Sequence, residues 1–99
     1  MTAKLIRNSW LYREWEVLDQ GRLIRIAYNG RGTGYESILV DGAPILRIKS
    51  HLWYVPRFEF KIGGLPFIVD VRVWPWLAIR AIRLTRSGEI IYTEGFMEK

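Results

Sequence analysis

Side chains along this chain alternate between apolar and polar, and the alternation breaks at short, regular intervals. In "RFEFKI" Phe58, Phe60 and Ile62 fall on one side of an extended backbone and Arg57, Glu59 and Lys61 on the other. In "PFIVDVRVW" Phe67, Val69, Val71 and Val73 share a face, opposite Ile68, Asp70, Arg72 and Trp74. "RLIRIAY" sets Ile24, Ile26 and Tyr28 against Arg25. A period of two marks a strand with one buried face, and the β-branched and aromatic content agrees. Turn signals at Asp19-Gln20-Gly21, Asn29-Gly30, Asp41-Gly42, Gly63-Gly64 and Ser87-Gly88 separate the runs.

The pattern predicts strands near 13–18, 22–29, 35–41, 44–49, 57–63, 66–74, 78–86 and 89–93, in one domain over residues 1–99. About eight short strands spaced roughly ten residues apart imply an all-β protein, an antiparallel β-sandwich or, alternatively, a small closed β-barrel. Connections this short cannot make parallel crossovers. "LAIRAIRLTR" also fits helical spacing, but Pro75 and the neighbouring strands predict a β-bulge near Arg80-Ala81 instead.

The composition supports a single core. Hydrophobic residues make up 49% of the 99, with five Trp, five Tyr and four Phe, which is the opposite of a disordered composition. The absence of cysteine excludes disulfides, thiolate metal sites and a thiol nucleophile. The N-terminal stretch carries a charge every few residues, unlike a signal peptide, and no segment nears the roughly 20 apolar residues of a membrane span. A cytoplasmic protein is the expectation. Fifteen basic against ten acidic residues give a net charge of +5, and eleven of the fifteen are Arg, which suits planar anions.

Three glycines in "YNGRGTGYESILVDG" raise the question of a phosphate loop. A dinucleotide loop needs Gly-x-Gly-x-x-Gly opening a helix. Here the glycines are 30, 32 and 34, and a strand-like run follows. The reading is a chain reversal, with Asn29-Gly30 at positive φ. Arg31 is the residue that would contact an anion there.

The segment "GRLIRIAYNGRGTGYESILVDGAPILR", followed by "FKIGG", resembles the N-terminal domain of the Fas apoptosis inhibitory molecule family over about residues 21–92. Asn29, Gly30, Gly34, Val40, Asp41, Gly42, Trp53, Phe60, Lys61 and Gly63 carry the resemblance. Trp53 stands several residues farther from Phe60-Lys61 than in the family pattern. The resemblance implies a compact, non-enzymatic β-sandwich used for protein interaction. The family carries a second domain, and its cell-death role is not transferred here.

Nothing in the sequence selects a catalytic set. His51 is the single histidine, and no spacing ties it to Ser50, Ser37 or Asp41 as a triad. Glu14 and Glu16 share an outward strand face. Asp70, inside a long apolar strand, reads as a partly buried ion-pair partner of Arg72. No enzymatic activity, no cofactor and no metal are expected. Arginines on outward strand positions (25, 47, 57, 72, 80 and 83) and clustered tryptophans instead predict an interaction module. Trp53, Trp74 and Trp76 are the expected aromatic anchors, with Arg72, Arg80 and Arg83 as charged partners. Protein binding, including self-association through the tryptophans and edge strands, is the favoured function; single-stranded nucleic acid or another polyanion on an Arg/aromatic face is the alternative.

Overall fold

Among the described residues nine strands form, in two antiparallel sheets, in a computed structural model of the chain. The structure describes residues 2–9, 11–32, 35–49, 57–74 and 78–96, with the backbone alone for Gly32, Val73, Trp74 and Ala78. Strands β1 (Lys4–Ser9), β2 (Tyr12–Asp19), β3 (Arg22–Gly32), β4 (Tyr35–Val40) and β5 (Ala43–Lys49) form a five-stranded sheet in chain order. Strands β6 (Arg57–Ile62), β7 (Leu65–Trp74), β8 (Ala78–Arg86) and β9 (Glu89–Glu94) form a four-stranded sheet, also in chain order. The sheets are not closed into a barrel, so of the two expected architectures the chain adopts the sandwich.

Four hairpin turns follow from local chemistry. Gln20-Gly21, Asp41-Gly42, Gly63-Gly64 and Ser87-Gly88 each place two successive residues at positive φ, between 48° and 85°. Two such residues make a type I′ turn, whose twist matches that of the flanking strands. The fifth turn signal misleads. Asn29-Gly30 lies within β3, and Gly30 is not among the positive-φ glycines. A Cβ at Gly30 would stand 2.5 Å from the Tyr28 phenol oxygen. Glycine is needed there so that a buried ring can lie against the backbone. The β3–β4 register shifts between Asn29 and Gly32, which absorbs an extra residue in β3. The bulge expected at Arg80-Ala81 is present too: Arg72 pairs with Ala81 and Val73 with Ile79, leaving Arg80 over.

Strand β1 was not expected. Its residues are mostly exposed, a bulge falls between Leu5 and Arg7, and Leu5 is the side chain it packs on the core. An irregular edge strand leaves no period to read. Ala3 N donates to Ile91 O at 2.8 Å, which ties the start of β1 to β9 of the other sheet.

The alternating residues meet between the sheets as expected. Trp15, Ile26 and Tyr28 face Phe58, Val69 and Leu84, each at most 1% exposed. Aromatic pairs cross the gap, Trp15 with Tyr92 at 5.5 Å and Tyr28 with Phe58 at 5.7 Å between ring centroids. The inward stripe of β2 reads Arg13, Trp15, Val17, Asp19, with a charge at each end. Asp19 accepts from Arg86 of β8. Arg13 makes a two-point contact with Glu94 of β9, Nε to Oε1 at 3.0 Å and Nη2 to Oε2 at 2.8 Å. The sandwich is therefore clamped ionically at two ends around an apolar middle.

The Arg13 clamp predicts a pH dependence. Hydrogen bonding from Arg13 holds the Glu94 carboxyl below its ordinary value. Burial, then the bond its hydroxyl donates to Glu94 at 2.8 Å, pushes Tyr92 up to about 12. A depressed carboxyl stabilises the fold above its unfolded value and loses that contribution as pH falls through the folded one. A raised phenol contributes below its unfolded value of 10.0 and loses it as pH rises toward about 12. Urea midpoints should fall on both flanks. In Glu94→Gln the tyrosine ultraviolet titration should move one phenol back toward its usual range; an unchanged curve contradicts the clamp.

Candidate functional site

The outer face of the four-stranded sheet is organised by one carboxylate. Asp70 sits on central strand β7, pointing away from the core, yet is 3% exposed. It is covered by its neighbours: in the strand register Arg57 of β6 and Arg83 of β8 stand directly opposite it on either side. Arg57 Nε donates to Oδ1 at 2.9 Å, and Arg83 Nη2 lies 3.5 Å from Oδ2. The expected Asp70–Arg72 pair is corrected. Residues two apart on one strand face stand farther apart than residues opposite each other on adjacent strands, so the cross-strand arginines reach the carboxylate first.

Arg72 turns to an aromatic instead. Its guanidinium lies 5.4 Å from the centroid of Phe96, and that of Arg83 lies 4.5 Å from the same ring. Gly95 makes this contact achievable. It adopts φ +80°, and a Cβ there would run into the Arg80 carbonyl oxygen and lie 3.0 Å from the Ala81 Cα. The chain leaving β9 thus presses onto the β8 bulge and places Phe96 over the arginines. Next to this cluster runs a row of Glu59, Ile68, Thr85 and Ile90 across the four strands, with Ile90 exposed.

The structure brings together two of the expected site residues, Arg72 and Arg83, and leaves Arg80 exposed at the adjoining bulge. Trp53 and Trp76 lie outside the described residues, as does His51, and the Trp74 side chain is not described. Arg57 and Asp70 complete the cluster. Phe96 was missed, although an aromatic directly after a glycine at a strand end is a readable sign of a chain folding back.

Arg31 lies elsewhere, on the outer face of the five-stranded sheet, 4.8 Å over the ring of Tyr12. Arg47 of β5 lies 4.3 Å over the ring of Tyr35. Glu14 and Glu16 are outward on β2, as expected. Glu36 of β4 points the other way, is 0% exposed, and accepts from the Tyr28 hydroxyl at 2.7 Å.

Between the β2–β3 and β6–β7 turns lies a cleft of about 200 Å³ lined in part by Asp19, Arg22 and Ile62. Its one carboxylate is engaged by Arg86. Among the described residues no three His, Asp or Glu gather as a metal-binding group, and no helix is long and apolar enough to cross a membrane. The chain matches no protein-family model, no curated protein and no solved structure.

Proposed function

We propose that the chain is a non-enzymatic, cytoplasmic interaction module that holds an acidic segment of a partner protein on the outer face of its four-stranded sheet. The observation that carries this reading is the convergence of Arg57, Arg72 and Arg83 on one buried carboxylate and one aromatic ring. Arginine takes carboxylates in two-point contacts, and three arginines, Arg57, Arg72 and Arg83, stand together on this face. The neighbouring Ile68 and Ile90 add apolar contact, and arginine with aromatic residues is the composition that interfaces favour. Trp53, Trp74 and Trp76 remain proposed aromatic anchors, with Arg80 as a charged partner. The resemblance to the Fas apoptosis inhibitory molecule family supports the same reading. Self-association is proposed through the tryptophans and the strand edges, whose backbone groups can pair with a second copy.

Affinity capture with the tagged chain tests the partner surface. A protein retained by the wild type should fall about tenfold or more in yield with Phe96→Ala and be retained by Lys61→Gln, which removes a charge from the same sheet away from the cluster. Equal retention by Phe96→Ala rejects the surface. Sedimentation at high micromolar concentration tests self-association, and a strict monomer rejects it.

A further inference from the structure

Arg57 and Arg83 on one sheet and Arg31 and Arg47 on the other face different groups. Arg57 and Arg83 are bridged by Asp70. Arg31 and Arg47 have no carboxylate partner among the described residues, and each lies over a tyrosine ring. A guanidinium that meets a ring and no carboxylate keeps N–H donors for an anion. The outward positions of β3, β4 and β5 include Arg25, Arg31, Arg47 and Lys49 and no acid, since the acid of β4, Glu36, is turned into the core; the outward acids Glu14 and Glu16 stand on β2, where Glu14 accepts from the Tyr12 hydroxyl at 3.2 Å.

These residues form a row. Tyr12, Asn29, Ser37 and Arg47 are paired in turn across β2, β3, β4 and β5, spanning three strand spacings, roughly 14 Å. Tyr35, 38% exposed, lies beside the row, two residues before Ser37 on β4 and paired with Lys49. Asn29 Oδ1 accepts from Arg31 N at 3.0 Å, which leaves the amide donors of Asn29 directed elsewhere.

We propose that this row is a binding site for single-stranded nucleic acid, separate from the partner surface on the other sheet. Arg31, Arg47 and Lys49 contact phosphates, the exposed Tyr35 receives a base, and Asn29 and Ser37 offer hydrogen bonds beside it. An acidic peptide matches the charge but supplies no flat group for the exposed Tyr35 ring. Every base has a π-face, and a basic face with aromatic platforms is how single strands are held without sequence preference. A duplex keeps its bases stacked on one another and cannot bring them to the ring.

Fluorescence anisotropy with labelled oligothymidylate of about twelve nucleotides tests the site. Binding should saturate at about 50 mM salt, and log K should fall against log salt with a slope of about −2, for three phosphate contacts at about −0.7 each. Tyr35→Ala should weaken binding about 5- to 150-fold, with an unchanged melting temperature because the ring is exposed. Arg47→Gln should weaken it and make the slope shallower by about 0.7. Lys61→Gln, the same charge change on the other sheet, should leave it unaltered. Absence of saturable binding overturns the proposal. So does a duplex of equal length bound as tightly as the single strand, or an affinity that Tyr35→Ala leaves intact, since bulk positive charge then explains the effect. Should Tyr35→Ala lower the melting temperature, Arg47→Gln against Lys61→Gln decides alone.

Discussion

Valine at position 30 should lower the unfolding free energy by about 3–5 kcal/mol, although Gly30 sits in a strand where valine is ordinarily welcome. The cost is steric. A Cβ would lie 2.5 Å from the Tyr28 phenol oxygen and 3.0 Å from Cζ. Tyr28 is fully buried against Phe58, and its hydroxyl donates to the buried Glu36 at 2.7 Å. The ring can yield only by strain in a packed core, about 1–3 kcal/mol, and by weakening a hydrogen bond between two buried polar groups, about 1–3 kcal/mol. Tyr28→Phe removes the oxygen that the new Cβ meets. Gly30→Ala and Tyr28→Phe should therefore combine to less than their sum, by about 1 kcal/mol or more in chemical denaturation. Strict additivity would mean that Gly30 serves the turn and not the ring.

The outcome at Gly30 shows where the sequence was readable. A period of two and four glycine-bearing turns give strand positions because each depends on residues adjacent in the chain. Gln20-Gly21 and Ser87-Gly88 need nothing beyond their own φ angles. Asn29-Gly30 carries the same local signal, yet the glycine answers to a side chain two residues away whose position is set by Phe58 and Glu36, in other strands. Strand β1 was silent for a related reason. Its pairing is to β2 and its anchor to β9, and neither leaves a period in "KLIRNS".

Polar pairs were the least legible. Arg13 and Asp19 lie in inward positions, but their partners Glu94 and Arg86 are 81 and 67 residues away. Asp70 was visible as an acid in an apolar strand, and its neighbour along the chain, Arg72, was the natural guess. Register decided otherwise, because the hairpins on both sides of β7 bring Arg57 and Arg83 level with it. Outward arginines could be assigned by parity. Which of them are bridged and which lie on tyrosine depended on which strands became neighbours.

Asp70→Asn is expected to cost about 2–4 kcal/mol, far more than the roughly 0.5 kcal/mol of an ordinary outward-facing substitution. Removing one partner of a buried ion pair leaves the other charge uncompensated, at about 3–5 kcal/mol when both are buried. The Asp70 side chain is 5% exposed, but Arg57 is 54% and Arg83 25% exposed, so water recovers part of the loss. Glu59→Gln, on an exposed position of the same sheet, is the comparison. The functional consequence separates two roles for the carboxylate. If Asp70 organises the arginines, its loss lets Arg57 and Arg83 move apart, and binding of the captured acidic partner weakens while net charge rises from +5 to +6 (5 + 1). Oligonucleotide binding on the opposite sheet should hold or strengthen slightly with the added charge, so the two ligands respond in opposite directions. If Asp70 merely competes for the guanidiniums, the acidic partner binds the variant more tightly. Tighter partner binding at a temperature where the variant is fully folded would refute the organised-arginine reading and leave the stability loss standing.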